Sequence, residues 1–200
     1  LPEASEACFS ISMHLNCVKK RVTRLNKILS DSSLQYDVSF FVQSSLVTSL
    51  EEITNDITKQ YSDEKLKQSL SLESRIISPS DFGFQNTLIE SNTLFFLDFE
   101  YAGWDDPAKL ICDFGCHPEI PIKDEYLQVF KNSFSTWLED AEHAIFRSEI
   151  LMPLYRLKWC SIMLNEFTSA GNDRRNHAGE VFDYENQFQK SKTYYEKYLA

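Results

Sequence analysis

The chain has 200 residues, 42% of them hydrophobic and 14% aromatic, which is enough apolar material for a buried core and excludes a disordered or fibrous protein. Its 30 acidic and 20 basic residues give a formal net charge of −10, which argues against a nucleic-acid binder because such a protein needs a basic surface. The five glycines form neither a Gly-x-Gly-x-x-Gly turn nor a Walker-type loop, so ordinary dinucleotide-binding folds and P-loop NTPases are excluded.

Three helical patterns occupy the first third of the chain. Between residues 10 and 30, apolar side chains recur at steps of three and four, which predicts a helix with one buried stripe. A second pattern runs from Phe41 to Tyr61 after the turn-like residues 30–33, and a third, shorter pattern covers about 63–73.

The period then changes to that of short strands. The predicted strands are Ile76-Ile77, Thr87-Leu88-Ile89 and Leu94–Leu97. Ser91-Asn92 fits the turn of a hairpin that joins the second and third strands.

The helical period returns after residue 104. Asp105 or Asp106 is placed to cap a helix over 106–115, with Pro107 in its first turn. Further helices are predicted over 123–147, 148–168 and 183–199, with a polar loop at 171–179. These patterns predict one mainly α domain with a small β-hairpin insertion.

The cysteines indicate a reducing compartment. The five residues are odd in number and spread through apolar stretches, which favours a reduced, cytoplasmic chain over a disulfide framework. Cys112, Cys116 and His117 form a cluster, but a closed zinc site needs four ligands, so buried thiols are the favoured interpretation. The longest apolar runs, of about four residues, are far short of the ~20 that cross a bilayer, so no membrane insertion is predicted.

The residues with the clearest chemistry lie between the predicted strands. Asp81 and Asn86 share one loop, and Asp98 follows the apolar run Leu94–Leu97. A carboxylate at the end of an apolar strand is costly to bury unless it meets a cation, and a metal ion is a natural partner. Asp98 at that position therefore calls for a partner of this kind.

This arrangement resembles the catalytic motif of the aminoglycoside phosphotransferase and choline kinase families, small-molecule relatives of the protein kinases. In those families a loop of His-Gly-Asp, four residues and Asn precedes a strand that ends in Asp-Phe/Trp-Glu/Asp. Asp81 and Asn86 keep the five-residue step, and 97–103 is similar to the family's metal-binding segment. Two positions depart from the pattern, because Pro79 stands where the family has histidine and Ser80 where it has glycine.

The resemblance implies a single protein-kinase-like C-terminal lobe over 1–200, with the catalytic loop and metal-binding segment at 76–116. Its activity would be ATP-dependent transfer of the γ-phosphate to a hydroxyl of a small molecule, and the negative net charge is compatible with a cationic acceptor. ATP and Mg²⁺ are the implied cofactors. Asp81 would be the catalytic base, and Asn86 and Asp98 would bind Mg²⁺, which prefers oxygen ligands and takes only one or two carboxylates from protein.

Further residues receive roles from the same resemblance. Glu100 would be a second ligand for metal or phosphate, and Asp113 would brace the catalytic loop from the next helix. The candidates for binding the acceptor are Trp104, Asp105 and Glu166. Ordinary structural roles, as a core aromatic, a cap or a solvated acid, remain open for these three.

The strand-rich N-terminal lobe that covers ATP in kinases is expected to be absent from this chain. Only about 75 residues precede the catalytic loop, and they are predicted to be helical. We therefore expect an exposed apolar face that meets the missing lobe or self-associates. The absent lobe and Pro79 also leave an alternative function, that of a catalytically silent kinase-like binding or scaffold domain.

Overall fold

The computed structural model describes residues 1–28, 32–168 and 182–200, and in these ranges the chain is mainly helical. The α-helices are α1 (Ile11–Leu25), α2 (Ser33–Phe41), α3 (Thr48–Gln60), α4 (Asp63–Lys67), α5 (Pro107–Cys116), α6 (Asp124–Phe134), α7 (Ala141–Met163) and α8 (Tyr184–Tyr198). A π-helical segment, Val42–Val47, joins α2 to α3. Short 3₁₀ turns occur at Leu72–Ser74, Phe84–Asn86 and Asn165–Phe167. No helix in the described ranges is both long and apolar enough to cross a membrane.

Within the described ranges, four short strands form two antiparallel pairs. They are β1 (Ile76–Ser78), β2 (Thr87–Glu90), β3 (Thr93–Phe96) and β4 (Gly103–Asp105). β1 pairs with β4, and β2 pairs with β3 in a hairpin. Ser91 and Asn92 both have positive φ, 48° and 64°, as a two-residue turn that matches the twist of its strands requires.

The chain divides into two compact units. Unit 1 comprises Leu1–His14 and Tyr61–Met152, and unit 2 comprises Leu15–Gln60 and Pro153–Ala200. The core of unit 1 is built from β1, α5, α6 and the start of α7. Its most deeply buried members include Ile111, Phe134 and Ala144.

The N-terminal segment of unit 1 lies along β4. Ala4 N–H donates to the Trp104 carbonyl at 3.0 Å, and Trp104 N–H donates to the Pro2 carbonyl at 2.9 Å. A Cβ atom on Gly103 would lie 2.5 Å from backbone atoms of Pro2 and Ala4. Only glycine allows this close approach of the two backbones.

Unit 2 has an aromatic contact between its early helices and α8. The Phe41 ring meets the rings of Phe188 and Tyr195 edge-on, with centroid separations of 5.8 and 5.4 Å. The Tyr195 hydroxyl also lies 2.8 Å from the hydroxyl of Ser49, which is buried. These contacts hold α8 against α2 and α3.

The predicted elements are confirmed in type, and several of their boundaries are wrong. The helix predicted from Phe41 begins at Ser33, where the Ser32 hydroxyl accepts from Gln35 N–H as an N-cap. The pattern over 63–73 forms a helix only to Lys67. Strand β4 was not predicted. The polar loop predicted at 171–179 lies outside the described residues.

The helix boundary predicted at 147/148 is also wrong. The break lies instead at 135–140, and α7 continues through Ser148. Two hydroxyls before the break bond back to the main chain, Ser133 to the Phe130 carbonyl at 2.7 Å and Thr136 to the Ser133 carbonyl at 2.7 Å. Such bonds give the backbone an alternative to the helix.

Candidate functional site

The loop that carries Asp81 begins with a left-handed turn. Ser80 has φ 73°, a conformation that glycine adopts most easily, and Ser80 occupies the glycine position of the family motif. Its N–H donates to the Ser78 hydroxyl at 3.1 Å, and its own hydroxyl donates to the Ser5 carbonyl at 3.1 Å. Side-chain hydrogen bonds therefore hold the strained turn in place.

Aromatic packing anchors the same loop to the core of unit 1. The Phe82 ring lies 5.2 Å from the Phe96 ring, 5.3 Å from the Phe114 ring and 5.8 Å from the Phe130 ring. Phe84 meets Phe114 edge-on at 5.5 Å. The loop between Asp81 and Asn86 is therefore fixed by contacts with β3, α5 and α6.

Asp81 and Asn86 are joined by hydrogen bonds. Asn86 Nδ2 donates to the Asp81 carbonyl at 2.9 Å and to Asp81 Oδ2 at 3.4 Å, and Gln85 Nε2 donates to Asp81 Oδ1 at 3.2 Å. Because the side-chain nitrogen of Asn86, Nδ2, donates to Asp81, the side-chain oxygen Oδ1 is the atom left to bind a cation. The carboxylate of Asp81 is exposed.

The β2–β3 hairpin brings Asp98 next to this loop. Thr87 pairs with Phe96, and one step outward Leu97 N–H donates to the Asn86 carbonyl at 2.9 Å. Leu97 is therefore the residue opposite Asn86, and Asp98 is the next residue along the chain. The predicted burial at the end of β3 is wrong, since every residue from Ser91 to Glu100 is exposed. Asp98 has φ 62°, a left-handed conformation that is uncommon for non-glycine residues.

Glu100 lies on the same exposed segment. It accepts a hydrogen bond from Tyr101, and this bond raises the pKa of the Tyr101 phenol. Trp104 is on β4 and is partly exposed. Glu166 is in unit 2, in the turn Asn165–Phe167, and is half-buried.

Asp105, a candidate for acceptor binding, is fully buried in a network with Lys109. Asp105 Oδ1 accepts from the N–H groups of Cys8 and Asp106 at 3.0 and 2.9 Å, while Lys109 Nζ donates to Oδ2. Burial raises the pKa of Asp105, and although burial alone would lower the pKa of Lys109, the charges of Asp113 and Asp105 raise it. The direction at Lys109 follows because two carboxylates act on one buried ammonium group.

Asp106 is the centre of a second buried network. Its Oδ1 caps α5 by accepting from Ala108 N–H at 2.7 Å, as the position of Pro107 indicated. Arg147 Nη2 donates to Oδ1 at 2.7 Å and Arg147 Nε donates to Oδ2 at 3.3 Å, while His14 Nε2 lies 3.2 Å from Oδ2. Burial would raise the pKa of Asp106, but the hydrogen bonds and charges of His14 and Arg147 outweigh it and hold the pKa below its ordinary value.

The predicted brace, Asp113, is buried on α5 one turn after Lys109, and the charge of Asp113 acts on that lysine. Cys112 and Cys116 are buried thiols, as the sequence predicted. Among the described residues, no group of three or more His, Cys, Asp or Glu side chains is arranged to hold a metal ion. A cation at the candidate site would thus depend on two protein ligands, Asn86 and Asp98, together with oxygens of its own ligand.

Comparisons with protein-family models, with curated proteins and with solved structures find no match to this chain.

Sequence reasoning missed the partners of Asp105 and Asp106 in the two buried networks. The four-residue steps from Asp105 to Lys109 and from Lys109 to Asp113 were a readable signal of ion pairing on one helix face. The contacts of Asp106 with His14 and Arg147 had no such signal, because 92 and 41 residues separate the partners along the chain.

Proposed function

We propose that this chain is the catalytic C-terminal lobe of an ATP-dependent small-molecule phosphotransferase. The observation that carries the proposal is the joining of Asp81, Asn86 and Asp98 by one hydrogen-bonded loop and one hairpin. The left-handed turn at Ser80, in the glycine position of the family motif, adds support. Backbone strain concentrates at functional sites, and both Ser80 and Asp98 have positive φ.

The proposed reaction is transfer of a phosphoryl group between oxygens. The hydroxyl oxygen of the acceptor forms a bond to the γ-phosphorus of ATP, the bond from that phosphorus to the β–γ bridging oxygen breaks, and ADP leaves. Asp81 orients the hydroxyl and accepts its proton, a role worth about 10²–10⁴ in rate. The aromatic contacts of Phe82 would keep this carboxylate in place during the reaction.

The residues present fit a magnesium ion. The two ligands would be the neutral side-chain oxygen Oδ1 of Asn86 and the exposed, charged carboxylate of Asp98. This pair suits an ion that completes its coordination shell with phosphate oxygens and water. When bound, Mg²⁺ would neutralise the charge of the phosphates. Glu100 is the further carboxylate on this segment, although Tyr101 already donates to it.

The alternative is a catalytically silent kinase-like domain that binds or scaffolds. One observation favours it besides Pro79. Both carboxylate oxygens of Asp81 accept hydrogen bonds from its own loop, from Gln85 and Asn86. The carboxylate of Asp81 thus already stabilises its own loop, which is what an aspartate does in an ordinary turn.

Magnesium-dependent nucleotide binding is the direct test of the site. We expect the 200-residue chain to bind nucleotide weakly without turnover, because phosphoryl transfer depends on positioning that the second lobe supplies. With Mn²⁺ replacing Mg²⁺ in the presence of ATP, the paramagnetic ion should broaden the NMR signals of Asn86 and Asp98. Asp98→Asn should remove this broadening.

A matched control is available on the same hairpin. Glu90 is an exposed acid at the far end of β2, so Glu90→Gln removes an equal charge and should leave the broadening unchanged. Equal broadening in Asp98→Asn and the unaltered chain, or none in either, would contradict the proposed metal site.

Asp81→Asn separates the enzyme from the silent alternative. In the protein that carries both lobes, this near-isosteric change should abolish turnover and preserve nucleotide binding, because the exposed carboxylate contributes little to folding. Steady-state ADP release measures the rate. Retention of more than about a tenth of the rate would remove Asp81 from the role of base.

A further inference from the structure

A cavity of about 310 Å³ lies within unit 1, and none of the motif residues Asp81, Asn86 and Asp98 lines it. This volume is at the lower end of the range for small-molecule sites. Its wall is formed by Asp106 and by three stretches of chain, namely Phe9–Ile11, residues between Tyr61 and Ser74, and residues between Asp140 and Arg147.

The wall contains a buried cation, the guanidinium of Arg147, which is 5% exposed. Its Nε and Nη2 donate to the carboxylate of Asp106. Its third nitrogen, Nη1, is buried and has no hydrogen-bond partner among the described residues. A buried donor left unpaired on a charged group is costly, so this nitrogen calls for an acceptor.

A second unpaired donor lies in the same wall. The hydroxyl of Tyr61 is buried and likewise has no hydrogen-bond partner in the described part of the chain. Burial raises the pKa of Tyr61, and the nearby charge of Arg147 offsets part of this rise. The phenol is therefore protonated at neutral pH, and its O–H is available to donate.

The cavity wall also contains a cation without an ion-pair partner. Asp106 is paired with Arg147 and lies 3.2 Å from His14 Nε2, and Asp140 lies 3.3 Å from His143 Nδ1. Lys65, which also lines the cavity, makes no ion pair with another described residue.

We propose that this cavity is a binding site for a small anion whose carboxylate or phosphate oxygens accept hydrogen bonds from Arg147 Nη1 and the Tyr61 hydroxyl, with Lys65 balancing its charge. Two buried donors without acceptors and a cation without an ion-pair partner together favour an acceptor-rich, negatively charged group. The site is separate from the proposed phosphotransfer site and does not depend on that function.

NMR titration of the 200-residue chain at constant ionic strength tests the proposal. The probes are inorganic phosphate in one arm and malonate in the other, with sodium chloride maintaining the ionic strength. We expect saturable shifts of the Arg147 Nε–H signal and of the amides of Ser69, Ser71 and Ser74 with at least one of the two anions. The arm that saturates at the lower concentration identifies the preferred anionic group.

Substitutions locate the binding site. Tyr61→Phe removes one hydroxyl and should weaken binding about tenfold, since a hydrogen bond to a charged group is lost. Lys65→Gln should also weaken binding. Lys67→Gln removes an equal charge from the same helix but does not line the cavity, so it should change nothing.

The proposal is overturned if neither anion gives saturable shifts, or if Lys67→Gln weakens binding as much as Lys65→Gln. Binding that Tyr61→Phe leaves unchanged in a folded variant would also overturn it. Thermal unfolding establishes that each variant is folded. Lys65 and Lys67 are both exposed, so their comparison decides the matter even if Tyr61→Phe does not fold.

Discussion

Asp98 combines an exposed carboxylate with a left-handed backbone conformation. This conformation costs a non-glycine residue stability, and such strain is found mainly at functional sites. We expect Asp98→Gly to preserve or raise the free energy of unfolding, by up to about 1 kcal/mol, because glycine relieves the strain at φ 62°. The same change should abolish Mn²⁺-induced broadening at Asn86. Urea denaturation and the NMR experiment measure the two effects.

Asp98→Ala is the informative companion variant. It also removes the carboxylate but keeps a Cβ atom in the left-handed conformation, so it should be less stable than Asp98→Gly. Equal stability of the two variants would mean that the backbone at this position is not strained.

Asp106 should give the fold a characteristic response to acid. Its folded-state pKa lies below the ordinary value, so its contribution to stability is complete above the unfolded pKa of about 3.9 and is lost as the pH falls through the folded pKa. Asp106→Asn keeps a capping side chain but leaves Arg147 buried without a counter-charge. We expect a loss of about 3–5 kcal/mol at pH 7.

The difference in stability between Asp106→Asn and the unaltered chain should narrow below about pH 4, because protonation then removes the same charge from the native residue. Urea denaturation at several pH values measures it. A difference that stays constant from neutral pH to pH 3 would show that the charge of Asp106 is not what stabilises the fold.

At the level of single residues, the sequence predicted local roles such as helix capping better than it predicted which side chains are buried. The cap at Asp106 followed from Pro107 and local rules, and it is confirmed. Asp105, in contrast, was a candidate for substrate binding and is instead buried against Lys109. Burial depends on contacts with residues distant in sequence, such as Cys8, and the local spacing of residues does not predict such contacts.

Elements whose signals are local were predicted, and those that depend on distant pairing were not. The β2–β3 hairpin was expected from two apolar runs and a turn dipeptide. Strand β4 is only three residues long, and it forms by pairing with β1, 27 positions earlier in the register Ile77–Trp104. The break between α6 and α7 was missed because apolar residues continue across it.

The loop between Asp81 and Asn86 should depend on one aromatic anchor. Phe82 contacts three other rings, whereas Phe84 contacts Phe114 and is 39% exposed. Phe82→Ala should therefore cost about 2–4 kcal/mol of stability, and Phe84→Ala should cost clearly less. Chemical denaturation measures both.

The loop's order can be followed separately from global stability. In Phe82→Ala, the amide of Asn86 should lose its protection from solvent even where the rest of unit 1 stays folded. Similar losses in the two variants would contradict the assignment of Phe82 as the anchor.

At the scale of the whole molecule, the β2–β3 hairpin exposes an apolar surface. Its members are Leu88, Ile89, Leu94, Phe95, Phe96 and Leu97, each between 38% and 77% exposed. Apolar side chains exposed in this number on one hairpin favour association. We expect the 200-residue chain to self-associate in a concentration-dependent way, as sedimentation velocity would show.

Leu88→Thr with Ile89→Thr should reduce this association without loss of fold, because both side chains are mostly exposed and threonine suits a strand. Leu72→Thr is the control, since Leu72 is 72% exposed away from the hairpin. A monodisperse monomer at all concentrations would contradict the expectation, as would equal effects of the hairpin and control substitutions.

The close approach of Gly103 to the N-terminal segment makes residues 2–4 and β4 a single cooperative patch. The amide hydrogens of Ala4 and Trp104 are each bonded to the other strand, so neither can exchange with deuterium until the two backbones separate. Their protection factors should therefore be similar and should fall together when this pairing is weakened. The exchange of the Ala4 amide would thus report whether strand β4, which follows the Asp98 segment, is paired or open.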